Sequence, residues 1–149
     1  MAALDRLRVH EFEARVIPAV DRYFRGLAPL MLPEWKDRYA DMDTAIRTDG
    51  VSNELLLHNP SHFALTRNTC SITRLSGSNK INVVPTEAWA ELDCRLLPDQ
   101  DPEAFFGELQ SVLGDSAGVR TLMSFTPAQS SAETGLFQLI EDVTREHFP

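Results

Sequence analysis

From Thr86 to Leu96 an apolar row alternates with one that is polar except at Trp89. Ala88, Ala90, Leu92, Cys94 and Leu96 fall on one side, and Glu87, Trp89, Glu91, Asp93 and Arg95 on the other. A period of two belongs to a strand, and a single apolar row predicts a strand covered on one face and wet or in contact on the other. "TCSITRLS", rich in β-branched residues, predicts a second strand before it, with "GSNK" as a turn after that strand. "GVRTLMSF" reads as a third strand.

The remaining pattern is helical. Leu4, Leu7 and Phe12 begin a short amphipathic stretch, and Val20, Tyr23, Phe24 and Leu27 keep helical spacing behind Pro18, a first-turn proline. Pro33 opens "PEWKDRYADMDTAIR", whose acidic start suits the helix dipole. Ser52 is the expected N-cap of "NELLLH" and Asn59 that of "PSHFALTR". Asp101-Pro102-Glu103 supplies a cap, a first-turn proline and an early acid. The stripe that follows is Phe105, Phe106, Leu109, Val112 and Leu113, with Gly114 placed to stop it. Thr134 caps "GLFQLIEDVTREHFP", where Leu136, Phe137, Ile140 and Val143 share a side.

The predicted order is helix, strand, strand, helix, strand and a terminal helix. That is a split βαββαβ unit without its first strand. The expected fold class is α+β: a ferredoxin-like, two-layer sandwich, truncated at the first strand, with an extra helical insertion at about residues 30–67. The missing strand would lie before Met1, and the terminal helix has no place in the unit. Expected boundaries are 3–130 for the domain and 131–149 for the helix leading out of it.

Composition narrows the function. The 149 residues carry a formal net charge of −8. An acidic chain lacks the basic footprint of a nucleic-acid binder, and lacks the basic segments that anionic membranes attract. No apolar run approaches a spanning length, and the charged "MAALDRLRVHEFEARV" is no signal peptide. Cys70 and Cys94 have no ligand-like spacing and read as buried free thiols.

The chemistry-bearing residues make no complete set. His58 and His62 would share a face only on a continuous helix, Pro60 stands between them, and two ligands are not a zinc site. His10-Glu11 begins a zincin-like pattern but lacks the second histidine, and His147 lies near a helix end, where a cation is favoured. Ser76-Gly77-Ser78 is not a nucleophile elbow. Asp41 and Asp43 read as solvated helix surface. Asn82 and Arg95 remain. Taken alone, they read as a turn residue before a strand and a solvated arginine paired with Asp93 or Glu91. An arginine fork and an amide can also hold a carboxylate together.

Three motifs change that balance. They are N-V-V-P from Asn82 to Pro85, A-x-x-x-L-D-x-R from Ala88 to Arg95, and L-P-x-x-D-P from Leu97 to Pro102. With their flanks, from about Arg67 to Gly114, they resemble the lid, or dimerisation, domain of the zinc-dependent aminoacylase and carboxypeptidase family. Glutamate carboxypeptidase, succinyl-diaminopimelate desuccinylase and acetylornithine deacetylase are members. The N-terminal helical part resembles the family only loosely.

The resemblance implies a ferredoxin-like domain inserted in a larger catalytic domain that hydrolyses amide or peptide bonds of small carboxylate-bearing substrates. It implies zinc in that catalytic domain and none in this chain. It makes Asn82 and Arg95 substrate-contacting residues, and it implies a homodimer formed through edge strand Thr69–Ser76 and a helix within residues 3–27. No catalytic residue is expected in this chain. The family's H-x-D motif, Glu-Glu pair and late histidine are absent, and so is its G-x-x-G-H-containing lid motif, whose role none of the four histidines inherits. The chain is therefore expected to be an excised lid, inactive alone. The competing expectations are a free-standing ferredoxin-like module for association or small-acid binding, and a small enzyme using His58 or His62.

Overall fold

The computed structural model describes residues 2–48 and 50–148. Its elements sort into two packing units and a terminal helix. The first unit is helical: α2 (Pro18–Leu27), α3 (Pro33–Ala40), α4 (Met42–Thr48), α5 (Val51–His58) and α6 (Pro60–Ala64), preceded by α1 (Ala2–Val9). Pro18, Pro33 and Pro60 each stand in the first turn of their helix, where no intrahelical N–H is needed. Ile17, Val20, Phe24, Ala28, Tyr39, Met42, Ala45, Val51 and Leu55 form its core. α2 packs here, with the helices of the insertion, while α1 packs on the other unit.

Two details differ from the pattern. "PEWKDRYADMDTAIR" is not one helix. Asp41 leaves helical geometry (φ −145°, ψ 72°), and its Oδ1 accepts from the Thr44 N–H, so this exposed residue starts α4 rather than continuing α3. Ser52 does not cap α5. Gly50, in the left-handed region at φ 60°, precedes the helix, and Ser52 within it accepts instead from Arg67.

The second unit is a hairpin with two helices behind it. β1 (Thr69–Ser76) pairs antiparallel with β2 (Trp89–Arg95), in register Thr69↔Arg95, Cys70↔Cys94 and Ser71↔Asp93, with a bulge near Thr73. α7 (Pro102–Leu113) and α1 cover one face. Their shared core is Leu7, Phe12, Phe105, Leu109 and Leu113, and Cys70, Leu92, Cys94 and Leu96 of the hairpin pack against it. The alternation in β2 therefore predicts the covered row correctly. Asp101 caps α7, its side chain accepting from Glu103 N–H. Gly114 ends α7 at φ 71°, and a Cβ there would come within 2.9 Å of Arg6. Arg6 needs that room. Its Nε donates to Val112 O at 2.9 Å and its Nη2 to Leu113 O, so α1 places a cation on the carbonyl end of α7.

The fold is α+β, as the pattern predicts, but the sheet is smaller. Among the described residues it has two strands, and residues 118–125, expected as a third, run irregularly with Leu122, Met123 and Phe125 exposed. A strand exists only where its backbone groups find partners. In a split βαββαβ unit the last strand lies beside the first, and no first strand is present among the described residues.

Thr66, Arg67 and Asn68 join the two units, and all three are buried. Thr66 O accepts from Arg15 N–H at 2.7 Å, Asn68 Oδ1 accepts from Leu97 N–H at 2.9 Å, and Arg67 lies over the Phe63 ring at 4.2 Å. α8 (Gly135–His147), capped by Thr134 as expected, stands apart. None of its residues is buried, and Leu136, Leu139, Ile140 and Val143 are exposed. Arg22 touches it, over the Phe137 ring and 3.4 Å from Glu141. Pro149, the last residue of the predicted helix, lies outside the described residues.

Candidate functional site

The outer face of the hairpin carries a ladder of charges. Arg74 on β1 meets Glu91 on β2 at 2.8 Å and lies over the Trp89 ring at 5.3 Å. One step further along β2, Arg95 grips Asp93. Its Nε and Nη2 donate to the two carboxylate oxygens, each at 2.8 Å. Residues two apart on a strand share a face, which is why this fork forms. The pair is mutual: hydrogen bonding and charge from Arg95 hold Asp93 below the usual carboxylate range, and the same contact with Asp93 raises Arg95. The Arg95 side chain is still 79% exposed. Asp93 occupies the Nε–Nη2 edge of the guanidinium, so the edge through Nη1 is available for a second carboxylate.

Asn82 is exposed in the loop that leaves β1 at Ser76 and enters β2 at Trp89. Pro85, in the same loop, packs near Gly77. Arg95 lies at the opposite end of β2, across from Thr69. Seven residues of strand separate these ends, about 20 Å at strand rise. The length of β2 thus separates the loop that holds Asn82 from the strand end that holds Arg95.

The histidines are dispersed. His58 ends α5, and Asn59 both terminates that helix and caps α6, so His58 and His62 share no continuous helix. His62 turns inward. Its Nδ1 meets Tyr39 Oη at 2.6 Å and Asn59 Nδ2 at 3.0 Å, and its Nε2 meets Tyr23 Oη at 3.0 Å. Phe24 and Tyr39 pack their rings around it. Burial lowers its pKa. Such an imidazole is a neutral structural partner of tyrosines. His10 is engaged with Glu108 at 3.0 Å, joining α1 to α7. Among the described residues no three of His, Cys, Asp and Glu converge to hold a metal ion.

Sequence reasoning missed Arg6 and Arg67, since nothing local marks an arginine that caps a distant helix or enters a junction. It also missed the meeting of Cys70 and Cys94, which lie half-buried side by side across the strands. The strand pairing held the signal, in that the two positions occupy the same row of facing strands.

Among the described residues the second unit is a two-stranded sheet backed by two helices, with an open outer face. A family model described as a peptidase dimerisation domain matches residues 4–121, and the chain belongs to that family. The mouse (Mus musculus) N-fatty-acyl-amino acid synthase/hydrolase PM20D1 is 27% identical over 103 residues, which are 66% of this chain and 20% of the mouse protein. The chain thus spans about a fifth of the length of that curated relative. No solved structure matches.

Proposed function

We propose that this chain is the dimerisation and substrate-contacting domain of a zinc-dependent metallohydrolase that cleaves amide or peptide bonds of small carboxylate-bearing substrates. The observation that carries the reading is the hairpin. One face is covered by α1 and α7, while from Ser71 to Ser76 β1 is exposed and its outer edge is unpaired among the described residues. Unpaired edges recruit strands, and the match to a dimerisation domain supports such a use of this one. In this reading β1 and α1 join two copies. The bare apolar stripe of α8 is covered where residues 131–149 return to the catalytic domain.

The substrate class draws on two further supports. The name of the mouse relative concerns N-fatty-acyl amino acids, which are amides bearing a carboxylate. The open edge of Arg95 suits such a carboxylate. Because Asn82 lies at the other end of the hairpin, the two residues contact a common substrate only if a second copy supplies one of them. The parent's zinc, which would activate water and polarise the scissile carbonyl, is built from residues other than those described here. This chain's part is to bind and orient, and alone it is inactive; zinc-dependent turnover by the pure chain would overturn that statement.

Two experiments test the reading. Sedimentation equilibrium of the chain should give a dimer, and Leu75→Asp, at an exposed position near the end of β1, should raise its dissociation constant at least about tenfold. A monomer at all concentrations removes the dimerisation role. In the full-length parent, Arg95→Ala should lower kcat/KM by roughly 10–100-fold for N-acyl amino acids and leave the corresponding carboxamides unchanged. Equal values for both substrates return Arg95 to a surface partner of Asp93. A dimeric chain whose full-length parent turns over no amide would favour a free-standing association module.

A further inference from the structure

Cys70 and Cys94 stand directly opposite one another on β1 and β2. Facing residues of antiparallel strands have Cα atoms about 4.5–5.5 Å apart, inside the roughly 4.4–6.8 Å that a disulfide spans. The two Sγ atoms are 2.7 Å apart and both thiols are free. The register thus places the two residues within the reach of a disulfide. The flanking pairs Thr69↔Arg95 and Ser71↔Asp93 hold the register, and the contacts of Leu92 and Leu96 with the α1–α7 core hold the face. Both cysteines keep partial exposure.

We propose that Cys70 and Cys94 form a reversible redox site, closing as an intrachain disulfide by exchange with a small-molecule disulfide of the oxidised-glutathione class. The Cys94 thiolate attacks one sulfur of the small disulfide. That S–S bond breaks, one small thiolate leaves and takes up a proton, and a mixed disulfide remains on Cys94. Cys70 then loses its proton and attacks the Cys94 sulfur, and the second small thiol departs. Two protein thiols are oxidised and one small disulfide is reduced to two thiols, with no net proton released. The order of attack follows from the contact between the sulfurs. The hydrogen bond from Cys70 lowers the Cys94 thiol, while the same bond and burial push Cys70 up.

The new bond would cross the hairpin one residue from Arg95 and close a loop that contains Asn82. It would restrict the unfolded chain and fasten the end of the sheet nearest α7. The site stands on the strand register alone and does not depend on the hydrolase reading.

The test equilibrates the chain in glutathione buffers from fully reduced to fully oxidised, followed by acid quench, intact mass, peptide mapping and thermal unfolding. The expected product is lighter by two hydrogens, yields a Cys70–Cys94 linked peptide, unfolds roughly 5–10 °C higher and reverts with dithiothreitol. Cys70→Ser should instead trap glutathione on Cys94. Because the wild-type readings decide the matter, poor folding of that variant would not obscure it. Unreacted thiols in the most oxidising buffer, a stable glutathione adduct on the wild type, or a disulfide between two chains would each overturn the proposal.

Discussion

The helical unit and the hairpin unit use their apolar residues differently. In the first, Phe24, Met42 and Val51 are 0% exposed and Tyr39 and Leu55 1%. Whole side chains vanish, and the rings of Phe24, Tyr39 and His62 interlock. In the second, the helix-facing side is covered only in part, leaving Ile72 and Leu75, opposite Leu92 and Ala90, at 38% and 67% exposure, and Trp89 on the outer face is 48% exposed. Five short helices closing on themselves have no edge to offer. A two-stranded sheet has edges and an outer face whatever lies behind it. The difference teaches that the helical unit is closed on its own core and the hairpin leaves surface for contact. The boundary between them is held by a few buried polar groups rather than by a continuous core.

The sharpest test of this contrast is a cavity in the helical core. Phe24→Ala should cost about 3–5 kcal/mol, read from the shift in urea midpoint. A loss under about 1 kcal/mol would mean that the unit is not a packed core. At the junction, Asn68→Ala leaves the buried Leu97 N–H without its acceptor and should cost about 1–3 kcal/mol. If the two units then melt separately by calorimetry, the boundary is as thin as described; a single unchanged transition would argue against it.

The pH response should single out the helical unit. Burial lowers the His62 pKa in the fold, so the unfolded chain binds the proton first. The contribution is complete above the unfolded pKa of about 6.5, and stability falls as pH drops through that value toward the folded one. His62→Gln should flatten the dependence of the urea midpoint between about pH 7.5 and 5.5, and an unchanged slope would place the titration elsewhere. The smallest effect belongs to the open face. Arg74→Ala removes an exposed ion pair with Glu91 and should change stability by less than about 1 kcal/mol. A larger loss, measured the same way, would show that the outer face is part of the hairpin's own support.

Much of the local structure was legible in the amino-acid sequence. Pro18, Pro33 and Pro102 mark helix starts, Asn59, Asp101 and Thr134 cap, and Gly114 stops α7, because each signal is read within four residues along the chain. The alternation in β2 likewise reports its covered row, since the pleat has a period of two. Ser52 misleads for the complementary reason: a distant guanidinium claims its hydroxyl.

The candidate site was legible only as residue types. Asn82 and Arg95 stand out by motif, yet which end of the hairpin each occupies depends on the pairing of β1 with β2. That Arg95 shares its fork with Asp93 depends on their side chains converging on one face. Sequence by itself thus determined most helix starts and the inward row of β2, consequences of short-range backbone geometry, but not the break at Asp41 or the start of α5. Tertiary structure alone decided that residues 118–125 are not a strand, that Arg6 caps α7, that His62 is enclosed by tyrosines and that Cys70 faces Cys94. Each of those outcomes requires a partner from a remote part of the chain, and a backbone group or side chain without such a partner leaves no periodic trace.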